Sequence, residues 1–556
     1  MSPQPPNFQA AFDAHIAGRL DEAERGYREV LEHDPHHVDA LHLLGVVLSV
    51  RGVWIEAEAL IRHAIALRES AHFLANLADL LMRRQRRQEA EAACRRAIEI
   101  DAGCGLAHFH LAEALAGRQQ VREAESEYRR AIELEPRLLA ARNNLGTLLM
   151  QENRQDDAIA IYHETLEIDG AYIHALYNLG MAQLRSVRLA QAEAAFRRAL
   201  GIQPDHRDAL HNLATTLKLA GRYDEAEALY RQTLALAPDF ADARFNLGIL
   251  LLTQGRFDEG WLHAEARYAP QRPRKDTPAP SGTPQWHGES LDGKSLVLWH
   301  EQGYGDCVQF ARYAPLLKAC GVRHLTLMCP QPLRPLIETL DGVDAVKTHS
   351  GTVEPHDYWA YPLSLPLHFG TTLDTIPAAL PYLHAPPDRI ERWRARLGAR
   401  PGLKVGLVWK GFADNQHDAT RSLPGLTPLA PLWSVAGATF FSLQKGQGEA
   451  EAMAPPAGQS VVHLGSAIED FGDTAAIIAQ LDLVISVDTA AAHVAGALGK
   501  PCWLMLPYDW TDWRWLRGRE DSPWYPRVMR LFRQSASRDW TEVAERMAKA
   551  LRAWRA

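Results

Sequence analysis

Through the first half of the chain, apolar residues recur three or four positions apart in short segments separated by polar turns, which is the period of amphipathic helices. A small residue recurs at Ala11, Gly45, Ala78, Ala112, Gly146, Gly180, Ala214 and Gly248, in steps of 34 with a single step of 33. A second small residue keeps the same steps at Ala23, Ala57, Ala90, Ala124, Ala158, Ala192, Ala226 and Gly260. Proline follows the second marker at Pro35, Pro136, Pro204 and Pro238. The pattern predicts a repeat of two helices joined by a polar turn such as Gly221-Arg222-Tyr223-Asp224. Small side chains let neighbouring helices approach, and proline, lacking an N–H donor, stops the second helix.

The rhythm breaks at 269–284, where five prolines in APQRPRKDTPAPSGTP predict a semi-rigid connector. From Trp286 onward, short apolar runs alternate with helix-like stretches. Ser295–Trp299, His324–Met328 and Val343–Val346 read as strands, and the alternation restarts after Pro386 with Lys404–Trp409, Thr439–Leu443, Val461–Leu464 and Leu483–Val487. Two such blocks predict two doubly wound α/β subdomains with a ligand cleft between them. The expected organisation is an all-α repeat array at 7–268, the linker at 269–284, α/β subdomains at 285–385 and 386–535, and an amphipathic helix at 536–556.

Composition adds exclusions. The 556 residues suit several domains, and a net charge of −8 argues against broad nucleic-acid binding. No run approaches 18 uninterrupted apolar residues, so no membrane span is expected. The start, MSPQPPNFQAAFDAH, lacks the charged and apolar regions of a secretory signal, and the six cysteines form no CxxC pair. A cytoplasmic protein with reduced thiols is expected.

Three motifs carry candidate chemistry. His300-Glu-Gln-Gly303-Tyr-Gly305-Asp306 leaves the first strand and opens a helix. Its glycines suit a tight turn and close approach to a ligand, and Asp306 suits either a general base or a helix cap. Asp488-Thr489-Ala490-Ala-Ala-His493 follows an apolar strand and starts a helix. Asp488 or Thr489 would cap that helix, and the small alanines would let a diphosphate reach its free N–H groups. A plain capped helix accounts for the pattern equally well. The third motif runs from Trp409-Lys410-Gly411 through Asn415, His417 and Arg421-Ser-Leu-Pro424, and Lys445 ends a further strand. Lys410, Arg421 and Lys445 are either phosphate-neutralising cations or solvated surface charges. No DxD motif or His/Asp/Glu cluster has metal-site spacing. Trp513 and Trp515, in the aromatic tail Tyr508-Asp-Trp510-Thr-Asp-Trp513-Arg-Trp515, are either core residues or the frame of a cleft, where such rings stack on sugars or bases.

The first half resembles the tetratricopeptide repeat, with the proline absent from the second, third and fifth of its first seven units. One register position carries Asn76, His110, Asn144, Asn178, Asn212 and Asn246. This ladder resembles the one lining the superhelix of the eukaryotic O-GlcNAc transferase. The resemblance implies side chains that hold a peptide backbone; the alternative is bonding between adjacent helices. The second half, at about 295–533, resembles glycosyltransferase family 9, the lipopolysaccharide heptosyltransferase-like enzymes of GT-B fold. The resemblance rests on Gly305-Asp306, Arg421-Ser-Leu-Pro424 and Asp488-Thr489-Ala490-Ala-Ala-His493, with Leu423 in place of the family's tryptophan and Ala490 in place of its glycine.

That likeness implies an inverting, metal-independent transfer from a nucleotide sugar, which serves as co-substrate with no further cofactor. Asp306 would be the base, and Gly303, Gly305, Lys410, Arg421, Lys445, Asp488, Thr489, Ala490 and His493 would surround the donor. Together the two halves imply a transferase acting on a protein or peptide acceptor held by the repeats. The alternatives are a transferase for a glycan or lipid-linked acceptor, and a non-catalytic adaptor.

Overall fold

The computed structural model describes residues 7–272, 282–348, 353–400, 402–413, 418–509 and 511–554. Asn415, His417, Trp510 and residues 273–281 of the proline-rich segment lie outside the described residues.

Paired helices run from Phe8–Ile16 with Leu20–His33 to Ala241–Thr253 with Phe257–Ala264, in step with the sequence period. The reason for the small residues is visible within single pairs. A Cβ at Gly146 would lie 2.5 Å from the ring of Tyr162, and one at Gly180 would lie 2.6 Å from that of Phe196. A third periodic feature escaped the sequence reading. The turn inside each hairpin needs a left-handed residue, supplied by Gly18, Gly52, Gly221 and Gly255 in some repeats and by Gln85, Gln119, Asn153 and Val187 in others. Only the glycines announce that conformation in sequence.

The chain divides into two compact units, Met1–Ala220 and Gly221–Ala556. The second unit holds the α/β region and also the last three repeat helices, Tyr223–Leu236, Ala241–Thr253 and Phe257–Ala264. Leu252, Phe257, Trp261 and Ala264 belong to the same buried core as the strands and helices of the α/β region. Trp261 meets Trp513 edge-on with ring centroids 5.1 Å apart, and its indole N–H donates to the carbonyl of Thr371 at 2.9 Å. The helical pattern therefore runs on to residue 264, while the compact units part earlier.

Two all-parallel sheets follow. The first contains β1 (Ser295–Leu298), β2 (His324–Met328), β3 (Ala345–Lys347) and β4 (Tyr358–Ala360), in the spatial order β3-β2-β1-β4. The second contains β5 (Leu403–Val408), β6 (Ala438–Ser442), β7 (Val462–His463), β8 (Leu483–Val487), β9 (Cys502–Leu506) and β10 (Met529–Arg533), in the order β10-β9-β8-β5-β6-β7. The second is the doubly wound order, whose direction of winding reverses between β5 and β8; the first reverses between β1 and β4. Crevices at the carboxyl ends of such strand pairs are where α/β sheets take ligands. The residues after β1, β5 and β8 are those of the three motifs.

β4, β9 and β10 were not anticipated. β9, Cys502-Trp-Leu-Met-Leu506, is buried along its length and shows no alternation, so its apolar run has no strand period to read. β4 is three residues long amid prolines and aromatics. The last helix is Trp540–Ala553. Here Trp540, Val543, Ala544, Met547 and Leu551 share a core with Val405, Leu407, Ile485 and Trp503, so the helix covers a face of the second sheet.

Candidate functional site

Two helices begin at the carboxyl ends of β1 and β8, and they face each other. Tyr304–Phe310 carries Asp306 in its first turn, and Ala490–Ala497 follows Asp488 and Thr489. The contact between them explains one of the motif's glycines. A Cβ on Gly305 would lie 2.8 Å from Cδ2 of His493, so a side chain there would separate the helices. The expectation that these glycines make a tight turn is corrected. Gly303 is extended (φ −89°, ψ 171°), and the left-handed residue of the loop is Gln302, at φ 60°.

Asp306 accepts from the backbone N–H of Gly303 at 2.9 Å, so it does cap its helix, and it also receives Nη2 of Arg514. Arg514 was passed over in the sequence because it sits between two tryptophans in a segment read for its aromatics. Its Nη1 donates to both carboxylate oxygens of Asp512 at 3.0 Å each, and its Nε donates to Oε1 of Gln309, one turn beyond Asp306. The arginine is 9% exposed and the Asp306 side chain 17%, so the pair is withdrawn from water but still reachable. Burial raises the Asp306 carboxyl above its usual range, against the opposing pull of Arg514.

Asp488 lies in the same field. Burial first, and the charge of Asp512 second, push its carboxyl up to about 6, with Arg421 and Arg514 pulling the other way. The Trp515 indole faces Asp488 without reaching a full hydrogen bond. His493 is buried, with Nδ1 2.8 Å from the Tyr525 hydroxyl and Nε2 3.9 Å from Asp488. Burial, reinforced by Arg514 and Arg312, holds its imidazole well below the usual histidine range, so it is neutral at physiological pH. Thr489 is the N-cap residue of the helix from Ala490, but its hydroxyl bonds Ser486 at 3.0 Å and does not cap the helix, and Asp488 stands one position before the cap.

The proposed cations separate. Arg421 reaches Asp418 only at 3.4 Å and acts on Asp488. Lys410 is paired with Glu451 at 2.8 Å, and Lys445 donates to the carbonyl of Ile468. Leu423 is buried in the core beneath the second sheet, in company with Trp409. Trp515 borders the cluster, its ring 5.4 Å from His493, whereas Trp513 packs against Phe257, Trp261 and Trp524 in the core. Among the described residues, no group of three His, Cys, Asp or Glu side chains is placed to hold a metal ion. No described helix is long and apolar enough to cross a membrane.

In the repeats, the ladder spends amide hydrogens on the preceding unit. Asn76 Nδ2 lies 2.9 Å from His42 Nε2; Asn144 donates to Glu113 at 3.1 Å, Asn178 to Asn143 at 2.9 Å, and Asn212 to Tyr177 at 3.1 Å. His110 is buried and bonds Glu113 at 3.0 Å. Asn246, in the second unit, is half-buried. Asn76, Asn144, Asn178 and Asn212 thus bond between adjacent helices, and the carbonyl oxygens of Asn76, Asn178 and Asn212 have no partner among the described residues.

A raised carboxyl pKa makes a signed prediction. The native state binds the Asp488 proton more tightly than the unfolded chain does, so stability falls as pH rises from about 4 to about 6 and stays lower above that. Asp488→Asn removes the penalty. The variant is expected to be more stable than the parent at pH 7.5, by on the order of 3 kcal/mol, and to show little advantage at pH 4. Thermal melts at the two pH values check this; equal melting temperatures at both would show that Asp488 carries no such strain.

Comparison with known proteins assigns the first half. Models described as tetratricopeptide repeat match residues 38–72, 70–100, 109–173, 172–239 and 211–274, so the paired helices are tetratricopeptide repeats. Protein FlbA of Caulobacter vibrioides is 32% identical over 319 residues, covering 53% of this chain and 52% of that protein. The chain spans about half the length of this curated relative. Among solved structures, YrrB, described as a tetratricopeptide repeat protein with an unusual peptide-binding site, overlays with a TM-score of 0.29 at 21% identity, covering 33% of this chain and 95% of that one. The Cut9-Hcn1 assembly overlays with a TM-score of 0.38 at 19% identity, covering 47% and 52%. Pseudomonas aeruginosa pilF overlays with a TM-score of 0.33 at 24% identity, covering 36% and 90%.

Proposed function

We propose that this chain is a glycosyltransferase of GT-B type that moves a sugar from a nucleotide-activated donor to a protein acceptor engaged by its tetratricopeptide repeats. The observation that carries the reading is the convergence of Asp306, Asp488, His493 and Arg421, from three separate motifs, at the carboxyl ends of two parallel sheets. In this reading Asp306 takes the proton of the acceptor hydroxyl as its oxygen attacks the anomeric carbon. A carboxylate whose pKa is raised above its usual range by burial is a better base for that step. The nucleoside diphosphate leaves as an anion toward Arg421 and the free N–H groups of the helix from Ala490. Tetratricopeptide repeats suit peptide or protein partners, which fits a polypeptide acceptor.

The second reading, an adaptor without transferase activity, is favoured by one feature. Lys410 and Lys445 are spent on Glu451 and the Ile468 carbonyl, leaving Arg421 as the proposed donor cation nearest the aspartates. A thermal-shift screen against nucleotides and nucleotide sugars separates the two. A ligand binding only the folded state stabilises it by about 2.7 kcal/mol at a hundredfold excess over Kd. The transferase reading expects one nucleotide series to raise Tm and the rise to shrink in Arg421→Ala. A flat screen over all bases and common sugars would favour the adaptor.

A further inference from the structure

We propose that Arg514 is the positioning residue of this site, holding Asp306 in place and in its ionised form; the inference rests on the transferase reading above and deepens it. The geometry is specific. The three donor edges of one guanidinium are divided between Asp306, Asp512 and Gln309. Two of these partners, Asp306 and Gln309, lie one turn apart on the helix that leaves the first sheet, while Arg514 and Asp512 belong to the segment between β9 and β10 of the second. A planar fork can satisfy all three at once, which the ammonium of a lysine cannot do with fixed directions.

The segment that presents Arg514 is itself braced. Trp513 on one side meets Trp261, Phe257 and Trp524, and Trp515 on the other is fully buried against His493. Leu516, next in the chain, is held at φ 50°, a backbone region that non-glycine residues adopt only when their surroundings impose it. Arg533 donates to the carbonyls of Trp515 and Leu516 at 2.7 and 2.8 Å, fixing that turn. The Gln309 amide is buried, and its Nε2 has no partner among the described residues, so its orientation is set by the bond to Arg514. The charged groups facing one another here are Asp306, Asp488, Asp512, Arg421 and Arg514, with the neutral His493 beside them and Arg312 beyond it. Asp418 also reaches Arg421, at 3.4 Å, and of the guanidiniums of Arg421 and Arg514 only that of Arg514 bonds Asp306.

The test uses the full-length chain and has an arm that does not depend on activity. Melting temperatures are measured at pH 5 and pH 8 for the parent, Arg514→Gln, Asp306→Asn and the double variant. Without the cation, ionised Asp306 is buried uncompensated. Arg514→Gln is therefore expected to lose more stability at pH 8 than at pH 5, and adding Asp306→Asn is expected to cancel much of that extra loss. Strict additivity of the two changes at pH 8 would overturn the proposal.

Arg514→Lys retains the charge and guards against an unfolded Gln variant. It is expected to keep the parent's pH dependence of Tm, and a pH dependence like that of Arg514→Gln would also count against the proposal. Where transfer is measured, Arg514→Gln is expected to move the acid limb of the kcat profile up by about one pH unit with the donor KM little changed. Arg514→Lys is expected to lower kcat without moving that limb. Coupling in the melts without any transferase activity would retain the Arg514–Asp306 pair and discard the transferase reading; activity with an unmoved acid limb would do the reverse.

Discussion

Asp306→Asn is expected to lower the rate of sugar transfer by about 10²- to 10⁴-fold, the range in which a positioned general base contributes, while the chain stays folded. Both halves of that expectation come from the same contacts. The asparagine oxygen can still accept from the N–H of Gly303, so the first turn of the helix keeps its cap. Arg514 keeps the two-oxygen contact to Asp512, so no cation is left unpaired. Burial disfavours the charged form of Asp306, so a neutral isostere costs the fold little. What is lost is the proton acceptor. The measurement is single-turnover transfer with a donor identified by thermal shift, alongside melts of both proteins. A variant that turns over at the parental rate would remove Asp306 from the mechanism. A variant that loses activity together with its cooperative melt would show only that the residue is structural, and the Tm comparison keeps these outcomes apart.

The parts of the molecule legible in sequence were those in which one residue type serves one physical need. Gly146 and Gly180 are small because an aromatic ring occupies the space, and so the repeat period shows. Asp306 and Asp488 follow apolar strands and open helices, and local signals of strand, turn and helix agree there. The illegible parts depend on distant partners. The left-handed turns at Gln119 and Val187 are imposed by their hairpins and carry no residue signature. Lys410 and Arg421 look alike as cations near a strand end, and only the fold shows that Glu451 has taken one of them. Arg514 lies far from Asp306 in sequence, and its neighbours Trp513 and Trp515 drew attention to stacking when the contact with Asp306 belonged to the charged residue between them.

The division of the chain at Ala220 leads to the second large expected effect: residues 285–556 should fail to fold as a unit, whereas residues 221–556 should unfold cooperatively. A chain starting at 285 keeps both sheets and the whole of the resemblance to a glycosyltransferase, so sequence reasoning alone would place the cut there. It loses Phe257 and Trp261, each under 5% exposed, and uncovers Trp513 and Trp524, on which they rest. Burying one such side chain contributes about 1.5–3 kcal/mol, against a total stability of about 5–15 kcal/mol for a typical domain. The electrostatic loss is of similar size. Glu301, 1% exposed just beyond β1, receives the Tyr268 hydroxyl and lies 3.5 Å from Nε of Arg267, and both partners precede residue 285. Breaking a buried ion pair by removing one partner costs about 3–5 kcal/mol because the remaining charge stays buried. The two losses together approach the whole stability of a domain. Circular dichroism melts and near-ultraviolet spectra of the two fragments are the measurement, with Glu301→Gln in the shorter one as a partial rescue. A shorter fragment that melts cooperatively within a few degrees of the longer one would show that the last repeat is an appendage to the α/β region and contributes nothing to its core.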